Sequence, residues 1–230
     1  MPVARRLGLA LALIGAGSCG KLQDPGDPAA SASVVLTLSA HSAPADGVSR
    51  VGFVVTLVND TPLGTEVTLT TDAGTLAGAA QATGGTLKFN ATSVSTPFAL
   101  VSSAATGVAT ISARTAASFT SDTVSLVPAL PAELHLFAST SVAKANGTDV
   151  ASLSVRLLRA AGQGTVSRGT LVRFQTFLGD TLRSDMSGVV AADTGGSATI
   201  ALTTRQAGTY KVVATSADKR DSVMVPFVVP

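Results

Sequence analysis

Aromatic side chains are scarce in this chain: they make up 4% of it, with one tyrosine and no tryptophan. Any core must therefore be aliphatic, built from Val, Leu, Ile and Ala around eight Phe. Sites that stack sugars on exposed rings have little material to draw on. Cysteine occurs once, at Cys19, which excludes internal disulfides. The two histidines, His41 and His135, lack a His or Cys partner at ligand spacing, so a zinc site has no ligand set. A serine nucleophile on a G-x-S-x-G elbow is also missing. Long helices are disfavoured by 22 Gly and 10 Pro scattered through the chain, despite abundant Ala. No metal, no cofactor and no catalytic residue is expected.

A concentrated charge is also absent. The full chain carries 16 Lys and Arg against 14 Asp and Glu, and its excess comes from Arg5 and Arg6 near the start. Nucleic-acid binding needs a dense positive surface to neutralise phosphates, so no nucleic-acid partner is expected. The second half is nonetheless mildly basic, with ten basic and seven acidic residues over 131–230 against three and five over 33–128.

What is present begins with an address. Arg5 and Arg6 precede an apolar run from Leu7 to Ile14, then Gly15, Ala16, Gly17, Ser18 and Cys19. The run is too short to span a bilayer and has the three-part layout of an export signal over residues 1–18. It resembles a bacterial lipoprotein signal. That resemblance implies lipidation of Cys19 and membrane attachment through the lipid, in the cell envelope. Ordinary cleavage after Ser18, with export to the periplasm or beyond, fits the small residues as well; a lone cysteine in an exported chain favours lipidation. Residues 19–32 are rich in Pro, Gly, Ala and Asp and read as a flexible tether.

Beyond the tether the apolar period becomes two. Val34, Leu36 and Leu38 recur at every second position, and Val51, Phe53, Val55 and Leu57 line one face of a longer strand that ends in a turn-rich stretch at 59–64. Val67 with Leu69, then 86–91, 97–101, 108–114 and 120–127, complete a set of short, evenly spaced strands. No helical segment is long enough for a parallel crossover. The prediction is all-β, an antiparallel sandwich.

The order then recurs about one hundred residues later. Ala45, Asp46 and Gly47 are echoed by Ala145, Asn146 and Gly147; 51–58 by 151–158; Gly107 by Gly208; and 120–126 by 221–227. A period of this length means duplicated domains rather than a solenoid. The expected domains cover 33–130 and 131–230, joined at Leu130, Pro131 and Ala132. The stretch from Ala192 to Thr204, with Ala207 to Thr215, resembles the last hairpins of bacterial immunoglobulin-like domains of the invasin and intimin type. The resemblance implies two tandem immunoglobulin-like antiparallel β-sandwich domains serving as a surface stalk or adhesive module, and it carries over no ligand-binding residue. In the first domain Val108 is aligned with Tyr210, which the resemblance makes a structural tyrosine bonded to a nearby turn.

Several patterns imitate chemistry. Gly15 to Lys21 satisfies G-x-x-x-x-G-K, but Leu22 replaces the hydroxyl that holds magnesium, and Pro25 and Pro28 forbid the following helix. Asp193, Thr194 and Gly195 match an aspartic-protease triplet without an equivalent second copy; Asp72, Ala73 and Gly74 fall elsewhere in the repeat, so a hairpin turn is expected. Asp180, Asp185, Asp193, Asp218 and Asp221 lack the tight spacing of a calcium loop. The better candidates for binding are Arg156 and Arg173 on outward strand positions, grouped with Arg205 and Lys211 as a basic face of the second domain. The partner expected there is a surface polysaccharide or protein, while plain solvent-facing charge that guards strand edges is the competing role. The function expected overall is non-catalytic adhesion or spacing, with glycan binding as the alternative.

Overall fold

The computed structural model describes residues 33–78, 84–139 and 142–230. The predicted signal, Cys19 and the tether lie outside the described residues. No described helix is long and apolar enough to cross a membrane.

Nine strands build a first sandwich: β1 (Val34–Leu38), β2 (Ser42–Pro44), β3 (Arg50–Leu57), β4 (Glu66–Thr71), β5 (Thr75–Gly78), β6 (Thr86–Asn90), β7 (Ser95–Val101), β8 (Gly107–Arg114) and β9 (Phe119–Val127). One sheet runs β1-β3-β7-β5 and the other β2-β9-β8-β4-β6. A second sandwich follows with β10 (Glu133–Ala138), β11 (Ala143–Lys144), β12 (Ala151–Leu158), β13 (Leu171–Leu178), β14 (Thr181–Leu182), β15 (Gly188–Ala191), β16 (Ser197–Leu202), β17 (Gly208–Ser216) and β18 (Lys219–Val228). Its sheets are β10-β12-β16 and β11-β18-β17-β13-β14, with β15 also on β13.

The alternation seen in the sequence is what closes each core. Val51, Phe53, Val55 and Leu57 are 2–6% exposed and share one apolar cluster with Leu76 and Leu100 of their own sheet and Ile111 and Val124 of the other. Leu153, Val155, Leu157, Val172, Phe174 and Tyr210 fill a separate cluster in the second sandwich. Each fully buried aliphatic side chain contributes about 1.5–3 kcal/mol relative to exposure, so each sandwich has its own driving force.

Pairing is antiparallel except at one place in each sandwich. There the first strand splits: β1 pairs with β3 in one sheet, and the chain then crosses so that β2 runs parallel to β9 in the other. β10 and β11 repeat this, with β11 parallel to β18. Neither β2, β5, β11 nor β14 was predicted, because two to four residues are too few to show a period.

The duplication is precise at the turns. Asp46 and Asn146 each accept two backbone N–H groups from the residues two and three positions on, and the following Gly47 and Gly147 sit at φ 79° and 81°. One predicted correspondence is corrected. Gly107 pairs with Leu126 and Gly208 with Phe227, so Ala109, opposite Val124, occupies the place of Tyr210, opposite Val225. Val108 points outward and is 59% exposed. A shift of one residue in a strand exchanges core for solvent.

Candidate functional site: the junction and the outer faces

The β12–β13 loop packs against the end of the first sandwich through a buried polar junction. Asp46 is 2% exposed. Its Oδ1 accepts the N–H groups of Val48 and Ser49 and the hydroxyl of Ser102; its Oδ2 accepts the Ser49 hydroxyl and, at 2.7 Å, Nη1 of Arg159. Arg159 also donates to the Gln163 carbonyl at 2.6 Å, which fixes the loop's own turn. Burial pushes the Asp46 carboxyl up, but the hydrogen bonds from Ser49, Val48 and Arg159 outweigh it and hold the group well below the usual carboxylate range.

Backbone bonds extend the contact. Thr165 N–H donates to the Asp46 carbonyl, Arg168 N–H to the Ala104 carbonyl, and Ser167 N–H to the Ala129 carbonyl. The Ser167 hydroxyl accepts from Ala129 N–H and donates to the Ala45 carbonyl, both at 2.8 Å. Gly164, at φ 75°, passes so close to the Asp46 carbonyl oxygen that any Cβ there would collide with it. The sequence offered no signal for this pairing, since Arg159 lies 113 residues from Asp46.

The predicted basic residues do not form one face. Arg156 lies on β12, paired with His135 and Ser197 in the three-stranded sheet. Arg173 and Lys211 lie on β13 and β17 of the other sheet, where the register also brings Arg220 of β18 into line, on the far side of Thr215 from Arg173. Lys211 and Arg220 border a shallow depression of about 220 Å³ together with Phe177, Gly179, Asp180 and Val213. Arg205 sits in the β16–β17 turn with its side chain across Gly147. The physical reason is that β12 and β13, though consecutive, belong to opposite sheets, so equal outward positions face opposite directions. Arg220 was not singled out in the sequence, although its outward place on a period-two strand could have flagged it.

No protein-family model and no curated protein matches this sequence. Solved structures do match. Over 86% of its length the chain superposes on invasin, a bacterial integrin-binding protein, with a TM-score of 0.59 and 21% identity, covering 39% of that chain. It superposes equally far on the adhesin InvE of Yersinia pseudotuberculosis, with a TM-score of 0.55 and 17% identity, covering 59% of that chain. The fold is that of tandem invasin-type immunoglobulin-like domains. The chain spans less than two thirds of either structure.

Within this invasin-type fold the remaining predicted residues have defined places. Tyr210 is fully buried, packs edge-on against Phe227 at 5.4 Å, and donates its hydroxyl to the Gln206 carbonyl at 2.9 Å, tying β17 to the turn before it. Asp193 closes the β15–β16 turn: its Oδ1 accepts the N–H groups of Gly195 and Ser197, both at 2.8 Å. Asp72 accepts Thr110 N–H at 2.7 Å, which lowers its carboxyl pKa, and it belongs to the other sandwich, so the two triplets share no proton. Asp185 pairs with Arg183, Asp218 with Lys219, and Asp221 accepts Leu136 N–H. His135 meets Glu133 at 3.2 Å and His41 lies 3.7 Å from Asp122, each in solvent. Among the described residues no three His, Cys, Asp or Glu converge on a metal position.

Proposed function

We propose that this chain is a non-catalytic protein of the bacterial cell envelope, an adhesion or spacer module held at the membrane by a lipid on Cys19. In this reading residues 1–18 are the signal and 19–32 the tether, and the domains at 33–130 and 131–230 present a ligand-binding surface away from the membrane. The observation that carries it is the junction: a pair of buried Asp46 and half-buried Arg159 with six further hydrogen bonds joins two sandwiches of a fold shared with an adhesin and an integrin-binding protein. A stalk that must hold a surface at a distance needs such a joint, and an inter-domain contact is otherwise mobile by default.

The test uses the full chain in a bacterial host. Labelled palmitate is incorporated by the native chain and not by Cys19→Ser, and intact cells displaying the native chain adhere to immobilised host-surface proteins. Equal labelling of both chains would remove the anchor from the proposal. Adhesion no greater than that of cells lacking the chain would remove the adhesive role.

A second reading, binding of an acidic polysaccharide, is favoured by the alignment of Arg173, Lys211 and Arg220 on one sheet. It requires retention on a sulfated polysaccharide column that the triple alanine variant of these residues loses.

A further inference from the structure

The two copies of the sandwich differ at one sheet edge. In the first, β7 is paired on both sides: β3 on one and β5 on the other, with Ala77 opposite Ala99. On the outer side of β5 the Leu76 N–H donates to the Gly84 carbonyl at 3.4 Å. In the second sandwich the strand corresponding to β7 is β16, and it pairs with β12 alone. The chain segment that could have covered it turns back instead and bonds to β13 as β14 and β15.

The register tells which groups are left on that edge. Leu157 N–H donates to the Gly196 carbonyl, so by alternation Ala198, Ile200 and Leu202 turn their backbone groups toward β12, and Ser197, Thr199 and Ala201 turn theirs outward. Asp193 confirms the direction, taking Ser197 N–H on its carboxylate and donating its own N–H to the Ser197 carbonyl. The edge groups of Thr199 and Ala201 have no partner among the described residues. The equivalent bond from Leu57 to Val94 aligns Thr199 with Pro97 and Ala201 with Ala99. Where the first sandwich has a proline and a covering strand, the second has an open donor and acceptor row.

Exposed edges are normally blunted by charge, proline or a bulge. β6 carries Lys88 and β10 carries Glu133, and the outward Leu136 N–H of β10 is occupied by Asp221. β16 reads Ser-Ala-Thr-Ile-Ala-Leu, without charge, proline or glycine. Ile200 on its inner face is only half-buried, whereas its counterpart Phe98 is 7% exposed beneath Gly78 of β5.

We propose that the β16 edge is a docking site for an extended peptide segment of a partner protein, which adds antiparallel to β16 as β5 adds to β7. β5 itself defines the chemistry of the occupant: an uncharged strand with an apolar residue facing inward beside Leu202, as Leu76 lies beside Leu100, and a small or medium residue over Ile200. Main-chain bonds to Thr199 and Ala201 supply the attraction, and the alternate side chains supply selectivity. The site is independent of the lipid anchor and of the basic sheet.

The experiment is amide hydrogen exchange on the full chain, alone and with a synthetic peptide copying 73–78, blocked at both ends, at millimolar concentration. In the free chain the Thr199 and Ala201 amides exchange at least about tenfold faster than those of Ala198 and Ile200, and the peptide slows them by about tenfold. The same peptide N-methylated at alternate positions has no effect. Ala201→Pro, which removes the outward N–H at the place of Ala99 where β5 meets β7 and leaves the bonds to β12 intact, abolishes the response at unchanged far-ultraviolet circular dichroism. Slow exchange of both amides in the dilute free chain would overturn the proposal. So would absence of protection by the peptide, or protection that survives N-methylation. Protection that grows with protein concentration without peptide would assign the edge to a second copy of this chain and overturn the partner proposed.

Discussion

Replacing Asp46 by asparagine tests the junction without disturbing the turn that Asp46 closes. Asn146 holds the matching turn of the second sandwich with the same pair of N–H bonds, so Asp46→Asn keeps those and changes only what Oδ2 does. The amide then presents a donor to Arg159 Nη1, a group that sits 2.7 Å away with 13% of its side chain exposed. A hydrogen bond between charged groups contributes about 1.5–3 kcal/mol, and breaking a fully buried ion pair costs about 3–5 kcal/mol. Arg159 keeps some water and its bond to Gln163, so the lower range applies: about 2 kcal/mol. Equilibrium urea denaturation of the native chain, Asp46→Asn, Arg159→Ala and the double variant measures it. The two single variants each lose about 2 kcal/mol and the double variant loses little more, a coupling near the full single effect. Small-angle scattering of Asp46→Asn shows a broader distribution of distances between the sandwiches. Additive losses, or a single loss below about 0.5 kcal/mol, would show that the pair does not hold the junction.

Other outcomes follow from the same geometry. Gly164→Ala forces a side chain against the Asp46 carbonyl at φ 75° and costs about 2 kcal/mol in the same denaturation series. Tyr210→Phe keeps the ring on Phe227 but strands the Gln206 carbonyl, costing about 1–2 kcal/mol, visible as a lower thermal midpoint by calorimetry. Ile111→Ala empties a fully buried site of the first sandwich and costs about 2–5 kcal/mol. Because the Asp46 carboxyl is depressed, its stabilisation is complete above the ordinary Asp range near pH 4 and is lost as pH falls through the lower folded value. Stability measured from pH 6 downward therefore declines below about pH 4, and Asp46→Asn removes that part of the slope.

Much of the fold was legible because it rests on local rules. The alternation at Val51, Phe53, Val55 and Leu57 announces a half-buried strand, and the recurrence of Asp46 and Gly47 as Asn146 and Gly147 announces a second copy. Strands of two to four residues were not legible, nor was the register that puts Ala109 rather than Val108 opposite the core, since a slip of one residue leaves the composition of a strand unchanged. The candidate surfaces were legible only as residue types.

By itself the sequence determined the all-β class, the duplication and the aliphatic cores, each a consequence of spacing along the chain. Tertiary structure alone decided which strands share a sheet, and so it separated Arg156 from Arg173 and joined Arg220 to Lys211. It also decided that Asp46 meets Arg159, and that β16 lacks the neighbour β7 has. The physical reason is that strand pairing is made by backbone groups, which every residue carries alike, so the choice of neighbour is set by how the whole apolar surface closes rather than by any one segment.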